Sequence, residues 1–304
     1  MDWQGKTAFI TGGVSGIGFG IACAFAGVGM RLALSYRNED YRAKARRWFV
    51  ENGHDAPLFV KLDVTDRTRF AECAEEVEAH FGKVHVLVNN AGVSVFGPTD
   101  EATYGDYDWI MGVNFGGVVN GLVSFIPKLK AHGEGGHVVN VASMAAFLPG
   151  PQAGIYTASK FAVRGLTESL RYNLASHGIG VSLMCPGLTR TNAWDSALKR
   201  PSGYADSGLG EVKREELEGF SAAFDIGMEP QEVGRKTLAG MTGNRPLILT
   251  HPEFAEDFLE IYEASVAALP KEDAPEGRLR IEALRRKANR AAAAGGTISL
   301  QDLS

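Results

Sequence analysis

Thr11-Gly12-Gly13-Val14-Ser15-Gly16-Ile17-Gly18 lies between a short β-branched and apolar run, Lys6–Thr11, and an apolar stretch of helical period from Ile17 to Val28. A strand that ends in glycines and turns directly into a helix lets main chain approach a pyrophosphate, with the first helical N–H groups facing the phosphates. The spacing is Gly-x-x-x-Gly-x-Gly, not the commoner Gly-x-Gly-x-x-Gly, so taken alone the cluster is also compatible with a plain tight turn.

Outward from this stretch the same alternation repeats. Strands are expected at Lys6–Thr11, Arg31–Tyr36, Leu58–Asp63, Val84–Asn89, His137–Ala142, Gly180–Cys185 and Arg245–Thr250. Helices are expected at Ile17–Val28, Tyr41–Glu51, Thr68–Phe81, Tyr107–Ala131, Tyr156–Ser176 and Gln231–Thr242. Strands alternating with helices imply an α/β chain: a seven-stranded parallel sheet, doubly wound, with helices on both faces. Residues 1–252 form its body. Residues 253–304 read as a helical extension of the same domain, with helices at Pro252–Leu269 and Arg278–Ala294. The Arg-rich second helix reads as a solvated or subunit-facing surface. Leu188–Met228 breaks the rhythm and carries Trp194, Tyr204, Phe220 and Phe224, which marks it as a lid over a substrate site.

At 304 residues and 45% hydrophobic content the chain can bury one large core. A net charge of −5 removes the attraction that holds proteins on nucleic acid or anionic lipid, so neither is an expected partner. Cys23, Cys73 and Cys185 are scattered, with no zinc-type spacing and no even-numbered disulfide framework, and no metal site is expected. The start, Met1-Asp2-Trp3-Gln4-Gly5-Lys6, is unlike a signal peptide, and no apolar run is expected to approach membrane-spanning length, so a cytoplasmic protein is expected.

Several strands end in polar residues, and in open α/β sheets ligands lie beyond the carboxyl ends of the strands. The expected nucleotide contacts are therefore Gly12, Ser15, Gly16, Ile17 and Gly18 from the first turn, Tyr36 and Arg37 from the second strand, and Asp63 with Val64 from the third. Asn89, Ala91 and Gly92 follow from the fourth. Asp63 could equally cap the next helix, and Asn89 could be a buried amide that ties loops together. The second strand ends Ser35-Tyr36-Arg37, with no carboxylate to accept a ribose hydroxyl and an arginine able to pair with a 2′-phosphate. That favours NADP(H), with NAD(H) as the alternative.

The chemistry is carried by Asn114, Ser143, Tyr156 and Lys160. A helix beginning near Tyr156 puts Lys160 on the same face at i+4. A phenol ionises near pH 10 and needs a nearby cation to act as a base at neutral pH. A unit charge at about 4 Å contributes roughly 1 kcal/mol in water but roughly 4 kcal/mol at an effective dielectric of 20. Only a site shielded from water suffices, and this makes the lid part of the catalytic expectation. Tyr156 is expected to act as general acid in reduction and general base in oxidation, Lys160 to tune it, Ser143 to hydrogen-bond the substrate oxygen, and Asn114 to anchor a water leading from Lys160 to solvent.

In order and spacing these motifs resemble the short-chain dehydrogenase/reductase family. They are Thr11 to Gly18, Asn89-Asn90-Ala91-Gly92, Asn114, Ser143, Tyr156-x-x-x-Lys160 and Pro186-Gly187-x-x-x-Thr191, over roughly residues 3–250. The resemblance implies a single Rossmann-type domain and an Asn-Ser-Tyr-Lys tetrad. It also implies nicotinamide contacts from Pro186, Gly187, Thr189 and Thr191 as well as Tyr156 and Lys160, and a homodimer or homotetramer built on the helices holding Asn114 and Tyr156. Phe96-Gly97-Pro98, Thr103-Tyr104, Asp108-Trp109-Ile110, Gly112-Val113-Asn114, Asn120-Gly121 and the extension further resemble bacterial Cα-dehydrogenases of lignin-derived aryl ether alcohols. Those relatives often carry an acidic residue where Tyr36 stands and use NAD, so the NADP(H) reading departs from them.

A substrate pocket is expected from Ser94, Phe96, Ser143, Ala145, Phe147, Gln152, Gly187 and Trp194, mostly apolar and suited to a bulky aromatic secondary alcohol or ketone. The alternatives are an NAD-dependent alcohol dehydrogenase of the same family and a nucleotide-binding scaffold without turnover. A scaffold would be expected to lose Tyr156 or Lys160, and both are present.

Overall fold

A computed structural model describes residues 2–209 and 214–296. The expected lid residues 210–213 and extension residues 297–304 lie outside the described part. All seven expected strands form: β1 (Thr7–Ile10), β2 (Arg31–Tyr36), β3 (Leu58–Lys61), β4 (Val86–Asn89), β5 (Gly136–Val141), β6 (Ile179–Cys185) and β7 (Leu247–Leu249). They make one parallel sheet in the order β3-β2-β1-β4-β5-β6-β7. The order reverses between β1 and β4, which places a crevice at the carboxyl ends of those two strands, beside the glycine loop.

Ten α-helices complete the described residues: α1 (Gly16–Ala26), α2 (Glu39–Glu51), α3 (Arg67–Phe81), α4 (Tyr104–Met111), α5 (Gly117–Ala131), α6 (Gly154–Leu174), α7 (Arg214–Asp225), α8 (Pro230–Thr242), α9 (Ala255–Ala267) and α10 (Glu276–Ala293). Alternation along β1 divides the core, because successive side chains on a strand point to opposite faces. Phe9 goes to the face covered by α3, α5 and α6, where it stacks on Phe125 at 4.6 Å and meets Phe70 edge-on. Ala8 and Ile10 go to the face covered by α1, α2 and α8.

Two sequence expectations change. The helix expected at Tyr107–Ala131 starts at Tyr104 and is interrupted by a π turn at Gly112–Gly116, centred on Asn114. The combined run Tyr104–Ala131 reaches 28 residues, with an 18-residue window of mean hydropathy 1.5, so one helix does have membrane-spanning length and composition. Its glycines and scattered polar residues hid this in the sequence. Half of that window is buried inside the protein, where it packs on α3 and α6.

The phosphate loop is held from behind by helix α8. Helix α1 crosses α8 so closely that a Cβ on Gly20 would run into the Pro230 carbonyl, and one on Gly234 into the Gly20 carbonyl. Glycine at both points is what lets α1 seat at the end of β1. Gly20→Ala is therefore expected to destabilise the fold by about 2–3 kcal/mol through backbone overpacking, read as a lower denaturant midpoint at unchanged slope. A midpoint within error of wild type would contradict the close crossing.

Candidate active site

The first turn is built for an anion. Ser15 makes no side-chain cap on α1, and the first turn of α1 has no acidic residue, so its leading N–H groups have no side-chain partner. Gly12 and Gly16 adopt φ of +62° and +52°, which L side chains rarely tolerate. The Ser35 hydroxyl accepts from Gly12 N at 3.0 Å, and the Asn90 amide donates to Thr11 O at 2.9 Å, fixing the loop from both flanks. Asn90 was not among the expected contacts. Its neighbour Asn89 was, but the Asn89 side chain turns into the sheet and donates to Asn140 Oδ1 at 2.8 Å. The Asn140 amide in turn donates to Thr167 Oγ1 at 2.9 Å. This geometry fits the structural alternative for Asn89, and Asn90 is the member of the pair that lines the cleft.

At the end of β2, Arg42 stands 5.5 Å from the Tyr36 ring centroid, and exposed Arg37 reaches Asp63 Oδ2 only loosely, at 3.5 Å. Asp63 spends its other oxygen on Thr65, accepting from its N–H at 3.0 Å and from its hydroxyl at 2.8 Å, so it caps its own turn. Val64 is buried, and its carbonyl accepts from the Asn120 amide. Ala91 donates its N–H to Thr11 Oγ1. The residues at the turn fit a dinucleotide, because the loop offers main-chain donors, a helix start free of side-chain caps and two guanidinium groups near the β2 end.

A cleft of about 380 Å³ opens at the carboxyl end of the sheet. It brings together Ile17, Gly92, Ser143, Tyr156, Lys160, Pro186, Gly187, Thr189 and Thr191. Ser143 leaves β5, its hydroxyl accepts from Ala145 N at 3.1 Å, and it also hydrogen-bonds the Tyr156 phenol. Lys160 is 4% exposed and donates to Val141 O at 3.3 Å, with its ammonium 5.5 Å from the Tyr156 ring centroid. Burial raises the phenol above its ordinary value of 10, and the Ser143 hydrogen bond opposes that rise. Burial also drops the Lys160 ammonium from 10.5 to about 8. The sequence led us to expect the cation to dominate the phenol. In the structure burial dominates, and the direct partner of the phenol is Ser143.

Asn114 is 1% exposed, and its amide is engaged through both atoms: Oδ1 accepts from Val93 N at 2.8 Å, and Nδ2 donates to Val93 O and Ser159 Oγ at 3.0 Å each. Its side chain therefore staples the segment after β4 to α6. Of the expected substrate residues, Ser94, Phe96, Ser143, Ala145 and Gly187 line the cleft. Three do not. Phe147 packs against Phe258 of α9 at 5.0 Å and under Arg164 at 4.0 Å. Gln152 is exposed and holds Gly97 N through its carbonyl, and Trp194 is half-buried while its neighbour Ala193 lines the cleft. Their places are taken by Val93, Met144, Leu148, Leu188, Phe224 and Phe254, which sequence spacing did not reveal.

His251, just past β7, clamps the Gly187–Leu188 turn. Its Nδ1 accepts from Gly187 N at 3.0 Å and from the Thr250 hydroxyl at 2.7 Å, which leaves Nε2–H to donate to Leu188 O at 2.9 Å. Away from the cleft, at the amino end of the sheet, His85, His132 and Glu134 cluster within metal-ligand range. Their atoms are committed elsewhere. Thr7 N and Glu134 N donate to the two Nδ1 atoms, His132 Nε2–H donates to Val84 O, and Lys6 and Lys83 hold the Glu134 carboxylate.

The expected lid is pinned at both ends. At its base, Thr189 bridges Met228 in parallel, with Arg190 N donating to Met228 O and Met228 N to Leu188 O, each at 2.9 Å. At its far side, fully buried Asp106 of α4 accepts from Arg200 at 2.6 Å, Ser207 Oγ at 2.7 Å and Gly208 N at 3.0 Å. Arg200 also stands 4.6 Å from the Trp109 ring centroid. Burial pushes the Asp106 carboxyl up, but the bonds from Ser207, Thr103, Gly208 and Arg200 outweigh it and hold the group at about 2. A carboxyl with a depressed value stabilises above its unfolded value and stops doing so as pH falls through the folded one. The latch is thus intact above its ordinary 3.8 and lost as the pH falls through about 2.

Asp106→Ala leaves Arg200 buried without its carboxylate, and is expected to cost about 3–5 kcal/mol of stability and to speed proteolysis within residues 188–228. Cleavage at the wild-type rate would contradict a latched lid.

The chain matches the short chain dehydrogenase family over residues 6–201. It is 38% identical over 289 residues, 93% of each chain, to a C alpha-dehydrogenase of Sphingobium sp. (strain NBRC 103272 / SYK-6). A putative short-chain dehydrogenase structure from Novosphingobium aromaticivorans superposes with a TM-score of 0.82 at 36% identity, over 97% of this chain and 99% of that one. A Burkholderia phymatum short chain dehydrogenase/reductase in complex with NAD gives 0.81 at 32% identity, over 90% and 99%. With a seven-stranded parallel sheet, a glycine-rich first turn and Ser143, Tyr156 and Lys160 gathered in one cleft, this chain belongs to the short-chain dehydrogenase/reductase family, the oxidoreductases of CH–OH groups.

Proposed function

We propose that the protein is an NADP(H)-preferring oxidoreductase that interconverts a bulky, aromatic secondary alcohol and its ketone, with Tyr156 as the proton-transfer group. The observation that carries this reading is the phenol of Tyr156, half-buried in the cleft, hydrogen-bonded to Ser143 and accompanied by Lys160. The glycine loop and the start of α1 would hold a dinucleotide by its phosphates, and the nicotinamide would supply or accept the hydride. Tyr156 gives a proton to the carbonyl oxygen in reduction and takes it from the hydroxyl in oxidation. Ser143 shares the substrate oxygen, and the Lys160 charge favours the phenolate when the alcohol is oxidised. Asn114 fixes the Val93 segment and Ser159 and thereby the floor on which Lys160 rests.

The aromatic substrate is supported by Phe96, Phe224, Phe254, Leu148, Leu188 and Met144 around the cleft, a lining with few groups for polyhydroxylated ligands. The likeness to a C alpha-dehydrogenase agrees with it. NADP(H) preference is supported by Arg37 and Arg42 flanking Tyr36 where a ribose-binding carboxylate would otherwise stand. The likeness to a structure in complex with NAD keeps NAD(H) as the second reading.

Tyr156→Phe is expected to lower kcat by about 10²–10⁴-fold, the usual worth of a positioned proton donor, with cofactor binding retained. In the wild type, alcohol oxidation should rise with pH through the neutral and alkaline range, because the phenol favours its protonated form, while ketone reduction stays level across that range. Equal consumption of cofactor by wild type and variant would remove Tyr156 from the mechanism. Arg37→Ala should weaken NADPH by roughly tenfold to a hundredfold, the worth of a charge-assisted contact of about 1.5–3 kcal/mol, with little change for NADH. Equal losses for both cofactors would defeat the preference.

A further inference from the structure

From residue 259 to residue 281 every side chain is exposed, through most of α9, the linker after it and the first turns of α10. Seven large apolar groups lie in this arm: Leu259, Ile261, Tyr262, Val266, Leu269, Leu279 and Ile281. Four of them, Leu259, Tyr262, Val266 and Leu269, recur at i, i+3, i+7 and i+10, and are 60%, 67%, 48% and 63% exposed. That spacing is one stripe along a helix. A helix of 13 residues is marginal in water by itself and takes its stability from burying such a stripe. Within this chain α9 packs on little more than the turn that precedes it, anchored by Phe258 on Phe147, whereas α10 returns its second half to α6. The stripe is therefore left without a cover, on a contiguous apolar surface of the kind that marks an interface.

Charge identifies the cover. Helix α9 carries Glu256, Asp257, Glu260 and Glu263 and no cation. Helix α10 carries six cations, Arg278, Arg280, Arg285, Arg286, Lys287 and Arg290, against Glu276 and Glu282. Among the described residues the only ion pair within either helix is Arg285 with Glu282. An acidic α9 repels an anionic lipid surface and also repels a second α9, but matches an α10. Among the described residues no ion pair joins α9 to α10 within one chain, so the match is open to a second copy.

We propose that the C-terminal arm is a homodimerisation element, in which the acidic, apolar face of α9 from each copy lies on the basic first turns of α10 of the other. A two-fold axis makes both contacts at once, since residue i meeting residue j implies j meeting i. Leu279 meets the stripe, and the Arg278 and Arg280 side chains on either side of it flank the contact. This surface is separate from α5 and α6, which the family resemblance implicates in assembly.

Two full-length charge-reversal variants test the pairing: Glu256→Lys with Glu260→Lys and Glu263→Lys, and Arg278→Glu with Arg280→Glu. All five positions are exposed, and circular dichroism with thermal melting checks that each variant is folded. Sedimentation velocity of each variant alone should show the mass of the wild-type assembly halved, counted in units of the 32.6 kDa chain. Mixing the two variants in equal amounts should restore the wild-type mass, because the reversed α9 then meets a reversed α10 and the native pair faces its native partner. Wild-type mass in either variant alone, a wild-type protein that sediments as a monomer at micromolar concentration, or a mixture that stays at the halved mass would each overturn the proposal.

Discussion

Placing an ammonium and a phenol side by side, largely out of water, is the costly interaction around which the rest of the chain is arranged. Burial disfavours the charged form of both groups, so Lys160 is lowered to about 8 and Tyr156 is held above its ordinary value. Open water would cancel these shifts, and with them any fine control by Ser143, because the same charges interact several-fold more weakly at high dielectric. Three separate devices hold the walls of the cleft in place. The Asp106 latch holds the lid from α4, the Thr189–Met228 bridge closes its base, and His251 ties the Gly187–Leu188 turn to the end of β7. Asp106, Met228 and His251 have no part in the chemistry itself, yet each bears on the dielectric in which the chemistry occurs.

The fold was largely legible because its signals are local. A strand that alternates sides, a glycine turn and a helix of 3.6-residue period each show within about a dozen residues, and all seven strands fall where their β-branched runs do. The pairing of Tyr156 with Lys160 was legible for the same reason, since i and i+4 share a helix face. Adjacent positions were harder. Asn89 and Asn90 differ only in which side of β4 they leave, and the choice depends on the partners Asn140 and Thr11, both far along the chain. The π turn at Asn114 was hidden because its residues satisfy an ordinary helical period.

The segment expected as a lid stands out in the sequence by its length and aromatic content, but its anchorage does not. Asp106 sits in a Thr103-x-x-Asp106 capping box, a signal present in the sequence, and would pass for a helix start alone. Its second task depends on Arg200 and Ser207, about a hundred residues away, and no spacing rule connects them. The cleft lining shows the same limit. Phe254 and Phe224 come from segments that approach the sheet only after β7 and the lid are in place, whereas Phe147, which follows Ser143 closely in sequence, turns outward to Phe258.

The central claim is that burial, offset by Ser143, sets the state of the Tyr156 phenol. The most direct test is the pH titration of its Cζ carbon by NMR in protein carrying labelled tyrosine, assigned by difference from Tyr156→Phe and repeated in Ser143→Ala. The account predicts a phenol that titrates above its ordinary value of 10 in the unliganded protein and higher still once Ser143 is removed. A phenol that ionises near neutrality, or one indifferent to Ser143, would contradict it.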